Sequence, residues 1–327
     1  MFSSNQFRAL FLFPVIVTLF SLSAVAQKET NKAPDKSKDM TGTPVMWEKV
    51  DIPQQDLYNG PAGPLTELGE VTFVSDQKGG FSTKYRIKDA AGREWVAKIG
   101  DEAQSETAAV RLLAALGYKT EIVYLVPSLT IPGKGSFKNV RLEARPENVK
   151  RLDRWQWSKN PFQGTPELQG LKILMAFLNN WDMKSDNNVV LKTDDQLQYV
   201  VSDLGVSFGK TGNNALPVFW RLGRSRNSPP EFAESDFVKE LEKGDIKFAF
   251  NGKNMGELNN ITIADGRWLA DLMVQLSDKQ IEDAFRAANY SPSDIKLLTQ
   301  SVKGRIRALD LATSGTAPKR AEAAKLN

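Results

Sequence analysis

The chain has 327 residues, 41% hydrophobic and 25% charged, which gives room for one two-lobed domain or two small ones with a substantial core. Its 43 basic residues against 39 acidic ones leave only a mild positive excess, so bulk charge offers no argument for a nucleic-acid partner. There is no Cys and no His, which excludes disulfides, a lipid-attachment cysteine, histidine-ligated zinc and histidine-dependent triads.

Residues 1–26 carry Arg8, an apolar run over 9–22 interrupted by Pro14 and Thr18, and then Ala24-Val25-Ala26. This is the pattern of a secretory signal peptide. The unbroken apolar part falls short of the roughly 20 residues a bilayer span needs, so no stable membrane anchor is expected. Cleavage after Ala26 and a secreted or periplasmic location follow. Residues 27–45, rich in Lys, Thr, Asp and Pro, are expected to be a flexible leader. Residues 46–68 hold Trp47, Ile52, Leu57 and Tyr58 and are expected to be extended segments packed on a first lobe that spans 46–144.

A meander starts at Val71, with strands over 71–74, 81–88 and 94–99, a loop over 75–80 and a turn over 89–92. Alternation in the third strand puts Trp95, Ala97 and Ile99 on one face and Val96 and Lys98 on the other. The loop contains Gly79 and Gly80, whose missing side chains let backbone N–H groups approach a ligand. A helix is expected over 102–117, with Ala109, Leu112, Leu113 and Leu116 as its core stripe and Gly117 ending it. Glu106 lies on that stripe. A carboxylate turned towards a core needs a cation, and Lys98 is the candidate, with Glu102 as the alternative acid.

Strands are expected over 122–126 and 138–142 around the turn at Pro132-Gly133-Lys134-Gly135, after which Glu143 and Ala144 would form a hinge between lobes. The second lobe would span 145–312. It begins with a polar and aromatic link over 145–164, followed by a well-capped helix start at Thr165-Pro166-Glu167. Residues 168–178 are apolar nearly all round, as in a buried helix. A hairpin follows, with strands over 188–191 and 197–201 and a polar turn over 193–195. Residues 219–226 are basic, with Arg221, Arg224 and Arg226 suited either to an anionic substrate or to a solvated face. Helices are expected over 268–276, 278–288 and 293–309, and residues 313–327 are expected to be a disordered tail.

The chemistry concentrates in residues 179–209. Asp182, Lys184 and Asn187 follow the apolar helix, and Asp203 ends the hairpin, whose closure brings it back towards Asn187. Two carboxylates and an amide oxygen suit a hard cation such as Mg²⁺. Taken singly, each of these residues also fits a cap or turn; jointly they make a site.

Asp-x-Lys-x-x-Asn, a hairpin and Asp203-Leu204-Gly205 together resemble the catalytic loop and metal-binding motif of the protein-kinase-like superfamily. The Asn179-Asn180-x-Asp182 start looks closest to HipA-like kinases, phosphatidylinositol 3- and 4-kinase-like enzymes and secreted Golgi-type kinases. Asn180-Trp181 stands where protein kinases carry His-Arg. The resemblance covers residues 70 to 210 and implies an α+β, two-lobed kinase-like fold: an antiparallel sheet with one helix, then a mainly helical lobe with a catalytic hairpin. It implies that Asp182 takes the proton of an attacking hydroxyl and Lys184 contacts the moving phosphate, while Asn187 and Asp203 hold Mg²⁺ or Mn²⁺. Lys98, paired with Glu106, would hold the phosphates of ATP or another nucleotide; Val96, Gly79, Gly80 and the backbone at Glu143 and Ala144 would complete its site. The expected activity is transfer of a phosphoryl group to a protein, lipid or glycan hydroxyl. Two alternatives stand beside it: a pseudokinase that only binds a ligand or protein, and a calcium-binding module built on Asp194 and Asp195.

Overall fold

A computed structural model describes residues 40–77, 82–212 and 223–315. The expectations for the signal peptide, most of the leader, Gly79, Gly80, Arg221 and most of the tail lie outside the described residues. In chain order the elements are β1 (Thr43–Val45), β2 (Thr72–Asp76), β3 (Thr83–Lys88), β4 (Glu94–Ile99), α1 (Glu102–Ala115), β5 (Val123–Ile131), β6 (Gly135–Ala144) and β7 (Lys150–Arg151). Then come α2 (Pro166–Phe177), β8 (Asn188–Lys192), β9 (Gln196–Val201), α3 (Pro229–Ala233), β10 (Val238–Glu242), β11 (Asp245–Phe248), α4 (Ile263–Met273), α5 (Asp278–Ala287) and α6 (Pro292–Thr313).

The first lobe is an antiparallel sheet in the order β2-β3-β4-β6-β5, with α1 against it. The alternation read in β4 holds: Trp95 and Ala97 join Ile87, Tyr124 and Leu142 in an apolar cluster, while Val96 and Lys98 face the other way. Strands β5 and β6 are longer than expected because their polar residues pair across the ladder. Thr130 and Ser136 share a 2.7 Å hydroxyl hydrogen bond while Leu129 and Ile131 stay buried. The turn between them closes at Gly133, whose φ of 73° suits glycine.

Two expectations near the start of the chain need correction. Residues 43–45 are not a loose leader: β1 pairs parallel with β9, Thr43 opposite Gln196 and Val45 opposite Gln198. Met46, Ile52 and Leu57 are buried in a cluster shared by α1 of the first lobe and the core of the second, so the expected packing on the first lobe is only part of their contacts. Their backbone is tied to the second lobe too, since the Gln280 amide donates to the carbonyls of Ile52 and Gln55 at 2.7 and 3.0 Å.

In the second lobe α2 is buried on nearly every side, from Leu171 through Ile173, Leu174, Met175, Ala176 and Phe177, and Thr165 caps its start by accepting from the Leu168 N–H. Its far end is held by a cation from α6. The Arg305 guanidinium donates to the Phe177 carbonyl at 2.8 Å and to Asn179 Oδ1 at 3.1 Å, and it lies 4.1 Å over the Phe232 ring. Positive charge at a helix C-terminus is favourable. Burial lowers the Arg305 pKa to about 9, still high enough to keep the charge at neutral pH. Asn179 then turns the chain with φ 54°, a left-handed conformation that asparagine tolerates better than most residues. Helix α4 starts at Ile263, five residues before the expected 268, because Thr262 and Asp265 form a capping box; α6 runs on to Thr313.

Candidate active site

Strand β4 and helix α1 deliver Lys98 and Glu106 to the same point. Lys98 Nζ donates to Glu106 Oε2 at 2.7 Å, lies 2.8 Å from Glu102 Oε2 and reaches Asp203 Oδ1 at 3.2 Å. Both alternatives for the lysine's acid are therefore realised, one helical turn apart. Burial alone would lower the Lys98 pKa, but Glu106, Asp203 and Glu102 outweigh it and raise it, so the ammonium is secure. Gly205 is required here by close approach: a Cβ on it would come within 2.7 Å of Glu102 Cβ and 3.0 Å of Lys98 Nζ. Its carbonyl accepts a 2.6 Å hydrogen bond from Ser105 of α1, which ties the Asp203 loop to the first lobe.

The hairpin closes as its pattern requires. The Ser202 N–H donates to the Asn187 carbonyl at 2.7 Å, which sets Asp203 beside Asn187. Asn187 Nδ2 donates to the Asp182 carbonyl at 2.8 Å and to its carboxylate at 3.2 Å, leaving the amide oxygen as the acceptor end of the side chain. Asp182 also meets Lys184 at 2.9 Å and Lys253 at 2.6 Å. Burial pushes the Asp182 carboxyl up, but hydrogen bonds from Lys253, Lys184 and Asn187 outweigh it and hold it below its ordinary value. At Asp203 burial acts the same way, and Lys98 with the Gly205 amide overcomes it, setting the carboxyl at about 2. Both acids are ionised at neutral pH.

Val96, Lys98, Glu106, Lys184, Asn187 and Asp203 line one cavity of about 340 Å³ between the sheet and the hairpin. Asp182 is bonded directly to two of them, Lys184 and Asn187. Glu143 lines the same cavity, but its carboxylate is claimed by Arg141 at 2.6 Å, by Arg145, and by Arg151 at 3.3 Å. Ala144 does not line it and faces a neighbouring apolar pocket with Ile122, Val149 and Leu191. The expected backbone contacts to adenine also lack free donors, because the Ala144 N–H is spent on the Ile122 carbonyl and the Arg145 N–H on Glu94, both at 2.9 Å. Pro146 has no N–H to offer.

The chain pattern gave no hint of Arg141 or Lys253, and it left the place of Arg226 open. Arg141 bonds Glu106 at 2.7 Å from the strand beside β4, a partnership visible only in the register that sets Lys98 opposite Arg141 and Val96 opposite Glu143. Lys253 reaches Asp182 from a segment without periodicity, where its N–H donates to the Trp181 carbonyl at 2.8 Å. Arg226, expected either to meet an anionic substrate or to lie on a solvated face, pairs with Glu102 at 2.5 Å, and Arg224 lies 4.9 Å over the Trp181 ring. At Asp194 and Asp195 nothing assembles for calcium: among the described residues no group of three or more acidic side chains is placed to hold a metal ion.

No protein-family model matches the chain, and no curated protein matches it. Among solved structures it is similar to the Helicobacter pylori proinflammatory kinase CtkA, at 12% identity and a TM-score of 0.48, over 81% of this chain and 100% of that one. It is similar to the Golgi casein kinase at 9% identity and a TM-score of 0.37, over 81% of this chain and 75% of that one. HipA of a Shewanella oneidensis toxin–antitoxin system is similar at 10% identity and a TM-score of 0.32, over 76% and 67%. The chain's own strand order gives the expected α+β, two-lobed arrangement, and its Lys98–Glu106 pair meets the Asp203 loop beside Asn187 and Asp182.

Proposed function

We propose that this protein is a metal-dependent phosphotransferase that moves a phosphoryl group from a nucleoside triphosphate to a hydroxyl of a protein, lipid or glycan, and that it works outside the cytoplasm, as residues 1–26 suggest. The observation that carries the reading is Lys98 bridging Glu106 of the first lobe and Asp203 of the second, at 2.7 and 3.2 Å, in the cavity that Asn187 also lines. Phosphoryl transfer asks little of a protein beyond positioning and charge neutralisation, and these residues supply both.

The donor set fits a hard cation: the Asp203 carboxylate and the Asn187 amide oxygen would hold Mg²⁺ or Mn²⁺, with donor phosphates and water filling the remaining positions. When bound, the ion neutralises charge on the transferring phosphate. Lys98 holds a donor phosphate and is itself kept in place by Glu106 and Glu102. Asp182 orients the acceptor hydroxyl. As the acceptor oxygen bonds to the terminal phosphorus, the bond to the bridging oxygen breaks, a nucleoside diphosphate leaves and the hydroxyl proton passes to the Asp182 carboxylate. Held below its ordinary pKa, the carboxyl is ionised at neutral pH and able to accept that proton.

The second reading, a pseudokinase that binds without turnover, is favoured by Lys253, which at 2.6 Å occupies an Asp182 oxygen that would face the acceptor. Incubation with labelled ATP and Mg²⁺ or Mn²⁺, followed by mass spectrometry for autophosphorylation, separates the two. Label incorporated by the wild type and lost in Asp182→Asn supports transfer. Metal-dependent binding of ATP with no incorporation supports the pseudokinase.

A further inference from the structure

We infer that this cleft recognises its phosphoryl donor by the triphosphate and is indifferent to the base, so that ATP, GTP, UTP and inorganic triphosphate bind with comparable affinity. The inference rests on the phosphotransferase reading and deepens it. A purine is held by apolar faces above and below and by backbone groups along its edge. Among the described residues lining the cavity only Val96 is apolar. Glu143, which lies opposite Val96 in the ladder where a base would lie against the sheet, is 3% exposed and fixed among Arg141, Arg145 and Arg151. A purine inserted there would strip charged hydrogen bonds from buried groups without returning equivalents. The backbone donors along that edge are spent as well, since the N–H groups of Ala144 and Arg145 are bonded to the Ile122 and Glu94 carbonyls and Pro146 has none.

The same wall suits phosphate. The cavity carries seven cationic side chains against four carboxylates. Arg145 and Arg151, which also pair with Glu121, keep partly exposed guanidiniums at its edge, with side chains 18% and 32% exposed, and Lys84 adds an ammonium from β3. Guanidinium forks match phosphate oxygens two at a time. Binding energy therefore gathers along the phosphate chain from Lys98 to Arg151, and the base is left outside the part of the cleft that discriminates. Among the described residues, the neighbouring apolar pocket that shares Arg145 and Arg151 is where a base would be selected, and the comparison of ligands tests it.

The experiment is calorimetric titration of the full-length protein with ATP, GTP, UTP and inorganic triphosphate, each with Mg²⁺ at one ionic strength. We expect dissociation constants within about fivefold of one another, and an Arg151→Gln variant to weaken all four alike by roughly tenfold. ATP binding roughly 100-fold or more tighter than UTP and triphosphate would overturn the inference, because a site that hydrogen-bonds a base rejects its analogues by at least that much. That outcome would leave the phosphotransferase reading standing. Binding of none of the four would overturn both.

Discussion

At the Lys98 end of the cleft one ammonium is shared by Glu106, Glu102 and Asp203, and each of these acids comes from a segment that a bound phosphate or metal would also engage. At the Glu143 end the proportions reverse, with three guanidiniums around two carboxylates, Glu143 and Glu121, that no substrate is needed to satisfy. The first end is arranged to exchange partners, because Asp203 keeps 35% of its side chain exposed and meets Lys98 at a loose 3.2 Å. The second is arranged to stay closed, with Arg141 and Glu143 almost wholly buried. The expected pattern is thus met most fully at the end proposed for phosphate and least at the end where a base would sit.

The sharpest way to break this comparison is to remove the acid at the reacting end. Asp182→Asn should lower phosphoryl transfer by roughly 10³-fold while leaving triphosphate binding nearly unchanged, measured as label incorporation beside calorimetric affinity. Equal loss of both would place Asp182 in binding rather than transfer. Next in size are Glu106→Gln and Glu143→Gln. Each leaves buried cations short of a partner and should cost about 3–5 kcal/mol in urea unfolding. A neutral Glu143→Gln would show that the closed end is not held by its ion pairs.

The loop chemistry was legible in the chain because Asp182, Lys184 and Asn187 fall within six positions and a hairpin of fixed length returns Asp203 to them. Lys98–Glu106 was legible for a different reason, a charged residue standing on an otherwise apolar helix stripe. The Glu143 end was not. Its partners come from β6, the hinge and β7, and only strand register shows that Arg141 and Glu143 share the face of Lys98 and Val96. Strand β1 escaped notice because three residues pairing in parallel with β9, more than 150 positions away, leave no local signal. Lys253 escaped for a similar reason, since the segment that carries it has neither helical nor strand periodicity.

Smaller effects sharpen the same contrast. In Lys253→Met the Asp182 carboxyl loses a hydrogen bond that holds it down, so its pKa should rise and the acid limb of the pH–rate profile should move to higher pH. A profile that does not move would mean that Lys253 does not act on Asp182 during transfer. The Lys98–Asp203 contact should show its own signature. The folded carboxyl lies at about 2 against an ordinary 3.8, so its stabilisation is complete above pH 4 and is lost as pH falls towards 2. Unfolding of the wild type and Asp203→Asn should differ by a constant amount from pH 5 to 7 and converge below pH 4; a constant difference down to pH 2 would deny the ion pair. Arg154→Ala, which breaks an exposed pair with Asp186 at the rim, should change stability by no more than about 0.5 kcal/mol.

Lys98, Asn187 and Asp203 are expected to bind a triphosphate and a metal together. Calorimetric titration of ATP into the wild type and Asp203→Ala, with Mg²⁺ and with chelator, measures that directly. Binding that requires the metal and disappears in Asp203→Ala is the predicted result. Binding that is indifferent to Mg²⁺ and survives Asp203→Ala would contradict it.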